Sequence, residues 1–333
     1  MFSSSMAAGW VAEVAPPAAL EGTPKAAPRV VVVGEGLLEL SHPPGKGAAL
    51  GYGGDTLNTA VYLARAGHQP HFVSALGVDP YSDGLLKEWD LECVQTGAVL
   101  RHPDRMPGLY AIQTDHVGER SFYYWKAGSA ACAFWDLPGA EEAMGFACEA
   151  DWLYFSGITL SLWDEAGRAR LAAAAKAVRA RGGQVAFDPN YRPRGWPDRA
   201  AAQAAVAKVA PHVTIALPTL DDENALHGQS PGRAHADRWL QAGAGRVVMK
   251  CGAQGARLYD RDSHEEVPIG RRVNPVDTTG AGDSFNAGFL SAKIEGHTDA
   301  EACRRANCLA GAVVQHAGAI IPRSAMPAGP DGS

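Results

Sequence analysis

A chain of 333 residues, 46% apolar and 20% charged, can bury one large core or two smaller ones and has the balance of a soluble globular protein. Its net charge of −6 counts against nucleic acid or an anionic membrane as a partner. No apolar run is long enough to span a bilayer, and the six cysteines (Cys93, Cys132, Cys148, Cys251, Cys303 and Cys308) form neither a C-x-x-C pair nor a zinc spacing, as expected of reduced thiols in a cytoplasmic protein.

Residues 1–28 are rich in Ala and Pro, lack the basic start and apolar stretch of a signal peptide, and read as a mobile extension. Order begins at 29–34, RVVVVG, whose valines predict a buried strand. Strand signatures of the same kind return at 151–157, 184–188, 212–217 and 246–250. Segments with helical composition lie between them, for example 165–181 and 199–208. This alternation predicts an α/β fold, a mainly parallel sheet flanked by helices. Two regions break the pattern. Residues 109–125 predict two strands around a His-Val-Gly-Glu turn, and 37–52 can supply more. These strands form either a small antiparallel lid over a site or an extension of the sheet edge.

Three glycine-rich stretches are candidates for holding a phosphate. Val33-Gly-Glu-Gly-Leu-Leu-Glu39 starts like a dinucleotide fingerprint, but Glu39 stands where the third glycine belongs. Pro44-Gly45-Lys46-Gly47 lacks the spacing and the hydroxyl of a Walker loop. The stretch 274–290, NPVDTTGAGDSFNAGFL, fits better. Phe285, Phe289, Leu290 and Ile294 fall at helical spacing, so a helix starts near Gly282. Gly280, Ala281 and Gly282 then form a helix N-terminus that attracts an anion, with Asp283 in the first turn at the same place. Alternatively the glycines serve a tight turn, and Asp283 simply favours the helix dipole.

The run from Asp277 to Phe285, DTTGAGDSF, resembles the C-terminal signature of the ribokinase-like (PfkB-type) carbohydrate kinases. Gly53-Gly54-Asp55-Thr56-Leu57-Asn58, Asp188-Pro-Asn190-Tyr-Arg192 and Lys250-Cys-Gly252-Ala-Gln-Gly255 resemble further landmarks of that family, in family order. The resemblance implies a three-layer α/β sandwich over 29–323, with a β-lid from about 37–52 and 108–127 and a flexible tail at 324–333. It implies that Asp283 is the general base for a sugar hydroxyl, with no large pKa shift required. It also implies that the backbone N–H groups of Gly280, Ala281, Gly282 and Asp283 form an anion hole for the transferring phosphoryl group. ATP would lie by Lys250, Gly252, Gly255 and Gly282, with Asn307 near the adenine. Glu223 would meet Mg2+ through water, in an Asn-x-x-Glu element whose asparagine position holds Leu220. Asp277 and Thr279 would hold a K+-type ion or brace the loop.

Within the family, the stretches 51–62, 122–126, 219–223 and 315–323 most resemble kinases of 2-dehydro-3-deoxygluconate, which implies a sugar-acid acceptor. Arg192 would grip its carboxylate and Lys126 would add a second positive charge. Tyr110 and Tyr124, on the lid strands, and Gly54, Asp55 and Asn58 would contact the rest. Fructose, ribose, the galactonate epimer and a nucleoside are the alternative acceptors, and a non-catalytic sugar-binding regulator is the alternative class. The lid is a candidate surface for a homo-oligomer. Glu35 and Glu39 lie close by in sequence with no assigned role.

Overall fold

The valine run forms the centre of the molecule. Val30–Val33 (β1) sends Val31 and Val33 into one core and Val30 and Val32 into another on the opposite face. A strand covered on both faces needs no polar alternation, which is why four valines in succession suit it. The structure, a computed structural model, describes residues 27–42, 47–114 and 120–327. Most of the N-terminal extension, Pro44-Gly45-Lys46, the His-Val-Gly-Glu turn and the end of the tail lie outside the described residues.

The remaining strands are Leu37–His42 (β2), Ala49–Gly53 (β3), His71–Gly77 (β4), Val99–His102 (β5), Leu109–Thr114 (β6), Arg120–Trp125 (β7), Trp152–Ser156 (β8), Gln184–Asp188 (β9), Ile215–Ala216 (β10), Arg246–Lys250 (β11), Ala256–Tyr259 (β12) and His264–Val267 (β13). The helices are Asp55–Arg65 (α1), Pro80–Leu91 (α2), Ala140–Cys148 (α3), Gly157–Leu162 (α4), Glu165–Ala180 (α5), Arg199–Val209 (α6), Leu220–His227 (α7), Gly232–Ala242 (α8), Ala281–Ile294 (α9) and Asp299–Val313 (α10). None of the described helices is long and apolar enough to cross a membrane.

Among the described residues, nine strands make the main sheet, in the order β13-β12-β11-β10-β9-β8-β1-β4-β5. Every neighbouring pair is parallel except β11–β12 and β12–β13. Helices α3, α5, α6 and α8 line one core, and α1, α2, α9 and α10 line the other. The strand expected over 212–217 shortens to β10. Pro211 sits in a 3-10 turn before it, and the Thr214 hydroxyl takes the place of a ladder partner, bonding both the N–H and the carbonyl of Val185.

The four strands β3-β2-β6-β7 form a separate sheet, so they are a lid and not an extension of the main sheet. It is not purely antiparallel, because β2 and β6 leave the same edge of the body and pair in parallel. At that edge stand the N-termini of α1 and α9. Phe285 and Phe289 bury in the core below, each worth roughly 1.5–3 kcal/mol relative to exposure. That burial anchors the start of α9 against the carboxyl ends of the strands, where open α/β sheets bind ligands.

Candidate active site

Two glycines start the two helices that meet here. Gly54 caps α1 at φ 135°, and a Cβ on it would stand 2.3 Å from the Glu35 carbonyl oxygen. Gly280 caps α9 at φ 75°, and its Cβ would stand 2.7 Å from the Ala319 carbonyl oxygen. Only glycine suits both the dihedrals and the space. One turn into α1, Asn58 donates from Nδ2 to Asp283 Oδ2 at 2.8 Å, and Thr59 Oγ1 donates to the Asp283 carbonyl at 3.2 Å.

The Ala281 N–H turns back to the Thr278 carbonyl at 3.2 Å. This removes Ala281 from the expected anion hole. The N–H groups of Gly280, Gly282 and Asp283 have no acceptor among the described residues, which leaves three donors at a helix N-terminus, where an anion is favoured. Beneath them, Asp277 accepts from the N–H and hydroxyl of Thr279 at 3.0 and 2.8 Å and from the Gly318 N–H at 2.5 Å. These bonds tie the Asp277 carboxylate to Thr279 and Gly318.

Asp283 is pushed up to about 7, first by burial and then by Asp55, against the lowering effect of the Asn58 hydrogen bond. Asp188 raises it further and Lys250 lowers it. The family resemblance implies a general base with no large shift required; burial first, and then the neighbouring carboxylates Asp55 and Asp188, nevertheless raise it. Burial also raises Asp55, although Ser156, the Thr56 backbone and Asn190 hydrogen-bond to it; the Asn190 Nδ2 contact is 2.9 Å.

Lys250 turns inward. Its Nζ contacts Asp188 Oδ2 at 2.5 Å and Asn286 Oδ1 at 3.1 Å, so it belongs to the buried network under the base and not to a phosphate-facing loop. Asn286 completes that network with Nδ2 contacts to Asp188 at 2.7 Å and the Tyr154 hydroxyl at 3.0 Å. The other nucleotide-side residues converge. Gly255, at φ 88°, packs against Val267, and Asn307 Nδ2 donates to the Val267 carbonyl at 3.1 Å. That bond commits the Asn307 amide to the backbone beside β13. Gly252, at φ 54°, lies exposed at the turn between β11 and β12.

The acidic pair on α7 needs a correction of one residue. Glu223 faces the core, buried against Trp239, His235 and Arg238. Asp222, about 100° away around the helix, faces the site and pairs with Arg192 at 2.9 Å. Asp222, and not Glu223, is therefore the acidic residue of α7 that reaches the site. Burial pushes Glu223 up to about 7. A carboxyl whose folded pKa lies above its unfolded value weakens the fold as pH rises between the two, here from about 4.5 to about 7. Glu223→Gln should therefore have the larger Tm advantage over wild type at pH 7.5 and the smaller at pH 5, read by thermal melts across that range.

Arg192 has a side chain 53% exposed, at the mouth of the site. Tyr124 lies within electrostatic reach of Arg192, Arg194 and Asp55, and its ring stands 6.0 Å from that of Tyr110. The Tyr110 hydroxyl donates to Glu39, and burial, then Glu39, raise its phenol well above the ordinary value. Lys126 stands at the lid root as the main counter-charge to Glu35, whose carboxyl burial pushes up to about 7. Ser129 donates to Glu35 Oε1, at 2.5 Å. Asp188, Asn286, Tyr154 and Glu39 are site residues that had no assigned role; Asp188 opens a motif noticed for Asn190 and Arg192.

A family profile described as "pfkB family carbohydrate kinase" matches residues 28–326. The chain belongs to that family. Among curated pfkB relatives, it is 42% identical over 313 residues to the 2-dehydro-3-deoxygluconokinase of Escherichia coli K12, covering 90% of this chain and 99% of that one. It is 41% identical over 308 residues to the enzyme of the same name from Dickeya dadantii, covering 90% and 98%. Among solved structures, it is similar to aminoimidazole riboside kinase from Salmonella enterica, complexed with aminoimidazole riboside and an ATP analog. That match has a TM-score of 0.74 and 26% identity, covering 87% of this chain and 95% of that one. The pfkB fold accounts for both the mainly parallel sheet and the separate lid.

Proposed function

We propose that this pfkB kinase transfers the γ-phosphoryl group of ATP to the terminal hydroxyl of 2-dehydro-3-deoxy-D-gluconate, giving 2-dehydro-3-deoxy-6-phosphogluconate and ADP. The observation that carries the reading is a half-buried carboxylate, Asp283, beside helix N–H groups with no acceptor among the described residues, and with the guanidinium of Arg192 at the same mouth. The names of the relatives at 41% and 42% identity support the acceptor.

In this reading the acceptor oxygen forms a bond to the γ-phosphorus while the bond from that phosphorus to the bridging oxygen breaks. The hydroxyl proton passes to Asp283. Asn58 holds the carboxylate in place, and the N–H groups of Gly280, Gly282 and Asp283 take the charge on the transferring oxygens. Gly54, Asp55 and Tyr110 surround the hydroxyl-bearing part of the acceptor, and Tyr124 of the lid covers the Arg192 side. Gly252, Gly255 and Asn307 form the nucleotide side.

Among the described residues no cluster of three or more His, Cys, Asp or Glu could hold a metal ion by itself. A divalent ion such as Mg2+ would come with the nucleotide and neutralise phosphate charge, with Asp222 as the protein's contribution. Asp222→Asn should raise the Mg2+ concentration for half-maximal rate several-fold, and Glu223→Gln should leave it unchanged. K+ beside Asp277 would share a carboxylate that three donors already occupy, so bracing is the role its geometry supports.

We take 29–323 as the kinase domain of a cytoplasmic enzyme, working without nucleic acid or membrane. Leu50, Tyr123 and Trp125, exposed on the lid face opposite Tyr110, suit pairing with a second copy.

The test is ADP release with ATP and Mg2+ over 2-dehydro-3-deoxygluconate, its galactonate epimer, fructose, ribose and adenosine. Turnover on a neutral sugar alone would overturn the acceptor assignment. Arg192→Met should raise the KM for the acid acceptor by about 10- to 100-fold, the loss of a charge-assisted contact. It should leave the KM for ATP little changed.

A further inference from the structure

We infer that Lys250 is a positioning residue for the base: fixed by Asp188 and Asn286 beneath the Gly282 backbone, it sets a buried positive charge against the carboxylates around Asp283. The inference rests on Asp283 being the base.

The groups within hydrogen-bond or electrostatic reach of Asp283 come from several elements. Helix α1 brings Asp55, Asn58 and Tyr62, β8 brings Tyr154, and β9 brings Asp188. The lid brings Tyr110, the loop after β9 brings Arg192, and β11 brings Lys250. Two of these are cations. Arg192 is half exposed and paired with Asp222, whereas the Lys250 side chain is 8% exposed and its partner Asp188 3%. Among the described residues, Lys250 is thus the buried cation set against Asp55, Asp188 and Asp283. Its Nζ lies 3.6 Å from where a Cβ on Gly282 would be, directly under the anion-hole backbone.

A buried ion pair is a poor stabiliser, since its desolvation often cancels its attraction. The position of this one gives it another use. The base must be ionised to accept a proton, and Asp55 and Asp188 both favour the protonated form. Hydrogen bonds from Lys250 and Asn286 meet on one oxygen of Asp188, so the ammonium is held from two sides and does not swing toward solvent.

The test is the acid limb of kcat/KM against pH for Lys250→Met, Asp188→Asn and the double variant. Lys250→Met should move the limb up by about one pH unit, a ten-fold loss on the acidic side. Asp188→Asn removes a like charge and should move it down. The double variant, with no charge left unpaired, should lie near wild type. If Lys250→Met does not fold, the comparison passes to the Asp188→Asn background, where removing Lys250 should again move the limb up. A rate reduced equally at every pH, or a pH-independent rise in the KM for ATP with an unmoved limb, would overturn the inference and make Lys250 structural or phosphate-binding. Asp283→Asn separates the two levels: a variant that stays active sinks the base assignment itself, whereas an inactive one with unmoved limbs in the Lys250 series sinks only this inference.

Discussion

Asp283→Asn should lower kcat by about 10²–10⁴-fold, the worth of a positioned general base, while the protein becomes more stable at pH 8. The two effects share one cause. The carboxyl is pushed up to about 7 by burial and by Asp55, so below that value it is protonated and cannot take a proton. Wild-type activity should therefore fall as pH drops through about 7, read from kcat against pH. The same shift has the opposite sign for stability: ionising a group whose folded pKa is raised weakens the fold as pH rises from about 3.8 to about 7. Asn keeps an acceptor for Asn58 and carries no charge. Its Tm should exceed that of wild type at pH 8, and the difference should shrink toward pH 4. A variant that loses activity and stability together would show that Asp283 is chiefly structural.

Gly280→Val should cost about 10²–10³-fold in kcat, comparable to losing an oxyanion-hole donor. A β-branched side chain resists φ 75°, and its Cβ would stand 2.7 Å from the Ala319 carbonyl oxygen. The backbone must shift, and the N–H groups that follow it shift too. Phe285 and Phe289 still anchor α9, so the chain should fold. Single-turnover rates with saturating ATP, alongside a thermal melt, check this. An unchanged rate with an intact fold would remove the helix N-terminus from the chemistry.

The main sheet was legible because its strands are short apolar runs separated by Ala-rich helical segments. From pattern alone the lid strands could equally extend the sheet edge, and the family resemblance chose the separate lid; the parallel pairing of β2 with β6 was not legible, since it joins segments far apart in the chain. In the site, the glycine–Asp283 stretch was legible and the network under it was not. Asn58 and Asp283 lie 225 residues apart and meet only when α1 packs beside α9.

By itself, the sequence determined what depends on a few consecutive residues. Glycine at positive φ, a helix beginning at Ala281 and a carboxylate in its first turn are local matters of sterics and hydrogen bonding. Only the tertiary structure decided which neighbour faces the site. Asp222 rather than Glu223 meets Arg192, because successive residues on a helix diverge by about 100° and packing chooses the buried face. Lys250 points beneath the base because alternate residues of a strand face opposite sides, and β11 turns that one toward Asp188. The upward shift of Asp283 was settled last, by burial and then by the charges that α1, β9 and β11 bring within reach of it.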